Sequence, residues 1–369
     1  MLMKIEKGTI SSSQLLFLAA AFVQGAALVV AFAYVVTKHD VWIIIISGLA
    51  VTLPFLWGCV SLAKSFPGQN MVQIMESVYG TFLGKGLSIL FISFPFQVIS
   101  HNLRFIGDFF VIYMYPKTPL VVFLILFIAV CAWAVRSGIE TIARIGLVTV
   151  AITIFIDVLT FFLLLGEMEA TNFLPMFELS VGDFIQGTHI MFAIPYGELM
   201  IFLMIVPYVN KIKQAKSALL WGLTIGAATL LILVVRDIAA LGSLANVLVA
   251  PSFEAVRLID IAHVITRMEL LVAIVLLITV FIKISVLYYA SALGIAQIFG
   301  LRTYRPLVIP IAIFSVSFSM VIYDAAAEQM YVGANIWPVY SLLFYMLPVM
   351  TMLIAKFRRL PRAQEGVRP

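Results

Sequence analysis

Charge is what this chain has least of. Only 11% of its 369 residues are Asp, Glu, Lys or Arg, while 63% are hydrophobic and the mean hydropathy is +1.13. A soluble domain carries about 25% charged residues, so this balance leaves a polytopic membrane protein. Cysteine is nearly absent. Cys59 and Cys131 lie in apolar runs, offer neither metal spacing nor a disulfide framework, and read as small buried hydrophobes. His39, His101, His189 and His263 are scattered, with no carboxylate or thiol at ligand spacing. A nucleophile elbow, a phosphate-binding glycine loop and the paired acids of a soluble domain are all missing. The loops are also too short to house an ATPase, so the chain is expected to be no enzyme and to hold no metal and no cofactor. The polar start (Lys4, Glu6, Lys7) runs into a span too long for a signal h-region and without a small-residue cleavage site, so no cleavable signal is expected.

What the sequence does have is apolar length. Ten spans are expected, at about 12–36, 41–63, 83–115, 120–135 and 143–166, then 187–206, 215–239, 269–298, 306–323 and 336–357. The fold class is therefore all-α, a single membrane domain of ten transmembrane helices. With both termini inside, sixteen Lys and Arg fall on the cytoplasmic side and five on the other, a clear positive-inside bias. That distribution, not nucleic acid, accounts for the net charge of +5. Residues 358–369 read as a basic cytoplasmic tail, a topogenic anchor. Residues 252–268 alternate apolar and charged positions at helical spacing and read as an outer-face amphipathic helix, a candidate lid or docking surface. Residues 70–79 follow the breaker Pro67-Gly68 and suggest a short interfacial helix.

Two spans are interrupted. Span 6 carries Pro195-Tyr196-Gly197-Glu198 at its middle: a lost donor, a relaxed backbone and a carboxylate costing roughly 2.5–3.5 kcal/mol at that depth. Span 1 carries Gln24-Gly25 at its own middle, which alone reads as helix packing. Interruptions at corresponding positions of two sets of five spans, about 12–166 and 187–357, point to an inverted-repeat transporter with its ligand site between them. If both helices open there, free N–H groups at a half-helix start favour an anion. Glu198 reads either as a carboxylate holding the broken backbone or as a protonatable group that binds a proton or an amino group. Phe192 and Tyr196 lie where an aromatic wall for a small ligand would stand. Asp157 and Lys283 are the other deep charges, candidates for coupling or gating. Arg104 and Asp108, spaced i, i+4, neutralise each other, and Arg236-Asp237 reads as an interfacial pair.

Several stretches resemble a known family. They are Ile10-Ser11-Ser12-Ser13-Gln14, Phe66-Pro67-Gly68-Gln69-Asn70, and Arg136-Ser137-Gly138-Ile139-Glu140-Thr141-Ile142-Ala143-Arg144. The most specific is Pro251-Ser252-Phe253-Glu254-Ala255-Val256-Arg257-Leu258-Ile259, running on to Arg267-Met268-Glu269. Together, in order over essentially the whole chain, they resemble the B subunit of bacterial spore germinant receptors. The resemblance implies the amino acid–polyamine–organocation superfamily and a LeuT-like 5+5 inverted repeat with broken helices 1 and 6. The ligand of that fold sits between those breaks, here Gln24, Gly25, Phe192, Pro195, Tyr196, Gly197 and Glu198, flanked by helices 3 and 8. It also implies the inner membrane of the spore, an A-type membrane subunit and a C-type lipoprotein as partners, and a nutrient such as an amino acid as ligand. Three functions follow from these residues: a germinant sensor, a proton-coupled amino acid permease, or a ligand-gated conduit for water or ions.

Overall fold

The computed structural model describes residues 8–259 and 267–361. The helices are α1 (Ser12–Gln24), α2 (Ala31–Thr37), α3 (Val41–Ser65), α4 (Met71–Tyr79), α5 (Thr81–Tyr113), α6 (Leu120–Ser137) and α7 (Ile139–Leu163). They continue as α8 (Val181–Met191), α9 (Ile212–Leu241), α10 (Pro251–Arg257), α11 (Glu269–Ile298), α12 (Val308–Val321), α13 (Ala326–Tyr331) and α14 (Trp337–Phe357). Eight helical runs are long and apolar enough to cross a membrane, and Ser12–Gln24 and Arg305–Val321 are shorter apolar helices. Length and hydropathy alone thus give eight among the described residues, because the first half of the interrupted first span and the ninth span are too short to count, and the second half of the first span runs on into the second as Leu28–Ser65. The sixth span starts at Val181 and the tenth at Ala326, both earlier than the apolar runs suggest. Polar residues such as Asp183 and Glu328 at those starts mask the helices from hydropathy.

Local chemistry sets the helix starts. Ser11 accepts from the Gln14 amide at 3.1 Å, and Gln14 Oε1 accepts from the Ser11 amide at 2.8 Å, a complete capping box. Asn70 and Gln73 repeat the device at α4, the short helix expected after Pro67-Gly68. α1 is the axis of the molecule: Leu18 to Gln24 are all buried, packed against α7, α9 and α11. Close approach to α9 depends on Gly222 and Gly226. A Cβ at Gly222 would lie 2.6 Å from Leu16 O, and one at Gly226 would lie 2.5 Å from Val23 Cβ. Small residues four apart let helix backbones meet where lipid gives no hydrophobic push. The outward faces stay apolar, with Phe155, Trp133 and Phe314 each 67% exposed, as a surface solvated by acyl chains requires.

Two expectations fall partly or wholly outside the described residues. Of the amphipathic helix at 252–268, the structure has Pro251–Arg257 as α10, ending in a turn at Leu258, and residues 260–266 lie outside those described. The tail beyond Pro361 and the charges at Lys4, Glu6 and Lys7 also lie outside them.

Candidate functional site

Both interruptions are present. In the first, α1 ends at Gln24 and the chain passes through Leu28–Val30 into α2. The amides of Gly25, Ala26, Ala27 and Val29 donate to Ala21, Val23, Gln24 and Ala26 at 3.0–3.1 Å, and Val30 donates to Ala26 at 3.3 Å. The break is therefore a tightened turn, not an opened one. The amides of Gly25, Ala26, Ala27, Val29 and Val30, where free N–H groups were expected as an anion site, are engaged with the chain itself. In the second, Ile194 adopts extended backbone (φ −140°, ψ 112°) inside the run Phe192–Tyr196, and Gly197–Met204 follows as a 3₁₀ segment. Pro195 supplies no donor there; the Gly197 amide reaches back to Phe192 O, and Ala193 O accepts from the Tyr345 hydroxyl at 2.5 Å.

The deep charges meet where the breaks converge. Lys283, midway along α11, places Nζ 2.8 Å from Glu198 Oε2, and both side chains are shielded from solvent. The contact is a buried ion pair. Nζ also stands 5.5 Å from the ring centroid of Phe22, which packs edge-on against Phe202. Gly25 brings the first break onto the same stretch of α11. A Cβ there would lie 2.7 Å from Thr279 O and 2.9 Å from Lys283 Cβ. Gln24 beside it is buried, and neither its amide nitrogen nor its oxygen has a partner among the described residues.

A cavity of about 20 Å³, room for about one water, adjoins Glu198. Phe32, His101, Asn102, Gln329 and Trp337 help to line it. His101 Nδ1 is 2.6 Å from the Tyr323 hydroxyl, its backbone carbonyl accepts from Gln329 Nε2 at 2.9 Å, and its ring lies edge-on to Trp337 at 4.3 Å. Gln329 Oε1 is left without a partner.

Asp157 does not join the ion pair. It lines a second cavity of about 20 Å³ with Arg236 and Ser252. Arg236 and Asp237, expected at the interface, are instead fully buried. Arg236 donates twice to Asp237 Oδ1 (2.9 and 2.7 Å) and once to Thr160 (2.7 Å), and Ser252 at the start of α10 donates to the other oxygen of Asp237. Adjacent opposite charges look superficial in sequence. Here partners on three helices satisfy them inside the protein. Arg104 and Asp108 do pair, at 2.9 Å.

The aromatic residues of the second break face elsewhere. Tyr196 donates to Ile45 O at 3.4 Å, and Phe192 packs edge-on to Phe55 and Tyr345, each at 5.3 Å. Gly197 lies under the Tyr345 ring. Sequence reasoning missed Tyr345, Trp337 and His101, which lie on expected apolar spans, and Gln329, which precedes the tenth apolar run. A histidine inside the third span was the available signal.

Comparison with known proteins agrees with this architecture. The family described as Spore germination protein (Spore_permease) matches residues 9–327. Spore germination protein KB of Bacillus subtilis (strain 168) is 24% identical over 362 residues, 96% of each chain. Spore germination protein YndE of the same organism is 22% identical over 329 residues, 87% of this chain and 88% of its own. Among solved structures, Mhp1, a nucleobase-cation-symport-1 family transporter in a closed conformation with bromovinylhydantoin bound, superposes with TM-score 0.74 at 14% identity. It covers 98% of this chain and 82% of that one. A Na+-coupled sialic acid symporter in a substrate-bound outward-open state gives TM-score 0.65 at 12% identity, covering 98% and 92%. The fold is thus the LeuT-like transporter fold, and the family (Spore_permease) and the structural neighbours are permeases and transporters, not enzymes. The chain is a multi-pass membrane protein belonging to the spore germination protein (spore permease) family.

Proposed function

We propose that this chain is the ligand-binding membrane subunit of a spore germinant receptor. In this reading it binds a small zwitterionic nutrient, an amino acid, between the broken helices 1 and 6. The observation that carries the proposal is the buried Lys283–Glu198 pair, set between the two breaks with the unpartnered Gln24 amide beside it. A zwitterion brings one ammonium and one carboxylate. Seated between Lys283 and Glu198 it replaces one buried pair with two, whereas a singly charged ligand leaves one buried charge unpaired, which is costly. The unsatisfied Gln24 atoms supply a donor and an acceptor for its polar groups.

The cavity beside Glu198 holds about one water, so ligand entry requires the breaks to part. A ligand shifts such an equilibrium only through differential affinity for the two states. The shift is the signal, read by an A-type membrane subunit and a C-type lipoprotein in the inner membrane of the spore, with both termini of this chain cytoplasmic. Residues 12–166 and 187–357 act as the two repeats that move against each other.

The match to solved transporters favours a second reading, a proton-coupled permease that completes the cycle. Counterflow of labelled amino acids into liposomes holding this chain separates the two. Saturable binding without accumulation supports the sensor. Saturable accumulation, lost in Glu198→Gln, makes the chain a permease.

A further inference from the structure

A groove of about 520 Å³ runs between α3 and α9 on the face that carries the excess of lysine and arginine. Trp57, Lys64, Lys213, Lys216, Leu220 and Trp221 line it. Lys64 Nζ donates to Lys213 O at 3.0 Å, which ties it to the start of α9. Lys216 Nζ stands 3.6 Å from the ring centroid of Trp57. Among the described residues no carboxylate lines the groove, and none of the three ammonium groups is paired with one. Three like charges gathered at one end of the groove, Lys64 from α3 and Lys213 and Lys216 from α9, repel each other unless an anion sits among them. Trp57 and Trp221 are 53% and 59% exposed, as indoles at headgroup depth are. From the lysines, α9 carries the lining on through Leu220, Trp221 and Thr224 towards the apolar middle of the span.

We propose that this groove binds an anionic diacyl phospholipid, its phosphate held by Lys64, Lys213 and Lys216 and one acyl chain laid along Trp57, Leu220 and Trp221. Basic pockets between transmembrane helices on the positive side recognise such headgroups. The volume and apolar walls beyond the lysines fit a lipid rather than a free phosphate, which would leave both indoles uncovered.

Native mass spectrometry of the purified chain, offered phosphatidylglycerol or phosphatidylcholine, tests this. The anionic lipid is retained and the zwitterionic one is not. The triple variant Lys64→Gln, Lys213→Gln, Lys216→Gln loses affinity by about 5-fold per lysine, on the order of 100-fold in all. Removing three charges elsewhere on the same face (Arg302→Gln, Arg305→Gln, Lys356→Gln) leaves retention intact. Inorganic phosphate displaces the lipid no better than sodium chloride of equal ionic strength; stronger displacement would mean a free-anion site and overturn the lipid assignment. In the unaltered protein, phosphatidylglycerol with brominated chains quenches tryptophan fluorescence more than brominated phosphatidylcholine, and Trp57→Phe with Trp221→Phe abolishes the difference. Equal retention of both lipids, or retention untouched in the triple variant, overturns the proposal and leaves an acidic segment of a partner protein as the occupant.

Discussion

Replacing Glu198 with Gln removes one partner of an ion pair whose charges are 2.8 Å apart and closed off from solvent. At an effective dielectric of about 20, unit charges at that distance attract by about 6 kcal/mol. Desolvation offsets much of this in the intact pair, but breaking it exposes the asymmetry. Lys283 is then left buried without its anionic partner, 5.5 Å from the centroid of the Phe22 ring, and losses of about 3–5 kcal/mol are typical of such a break. Lys283→Met alone leaves Glu198 in the same position and is expected to cost about as much. The double variant removes both charges and is expected to recover most of the loss, giving a coupling of at least about 2 kcal/mol. Unfolding by dodecyl sulfate titration of the purified chain measures all three. Additive losses, or a Glu198→Gln cost below about 1 kcal/mol, would refute the reasoning that the two charges depend on each other.

Gly25→Trp is expected to insert normally and to lose ligand binding, because even a Cβ meets Thr279 O at 2.7 Å; membrane fractionation and binding on the same preparation check it. Gly25→Ala should already destabilise by about 1–3 kcal/mol through overpacking, read in the same titration. Tyr345→Phe leaves Ala193 O without its donor and should cost about 1–3 kcal/mol while the chain still folds. Ser252→Ala frees the α10 start from Asp237, and faster hydrogen exchange in Pro251–Arg257 with little change in α9 is the expected result.

The sequence displays whatever is rare in a span. Pro195 and Glu198 are conspicuous there because lipid makes such residues costly, and Gln24-Gly25 becomes informative through its matching place in the first five spans. Lys283 is equally visible as a deep charge. Its partner is not, since the contact joins the second break to α11 through packing that no local pattern encodes. Arg236-Asp237 shows the reverse error: adjacency suggests self-neutralisation at the surface, whereas Thr160 and Ser252, from two other helices, make burial possible. Tyr345 looks like one aromatic among many on α14, and only the extended backbone at Ile194 gives its hydroxyl a carbonyl to reach. The tightened turn after Gln24 is likewise invisible, because glycine permits an opened break as readily as a closed one.

The most direct test of the site is equilibrium binding of a panel of labelled amino acids to the full chain in liposomes, beside Glu198→Gln and Lys283→Met in matched preparations. Saturable binding of at least one amino acid by the unaltered chain, lost in both variants, is the predicted result. Binding of the same amino acid with unchanged affinity in both variants would contradict a site built on this pair.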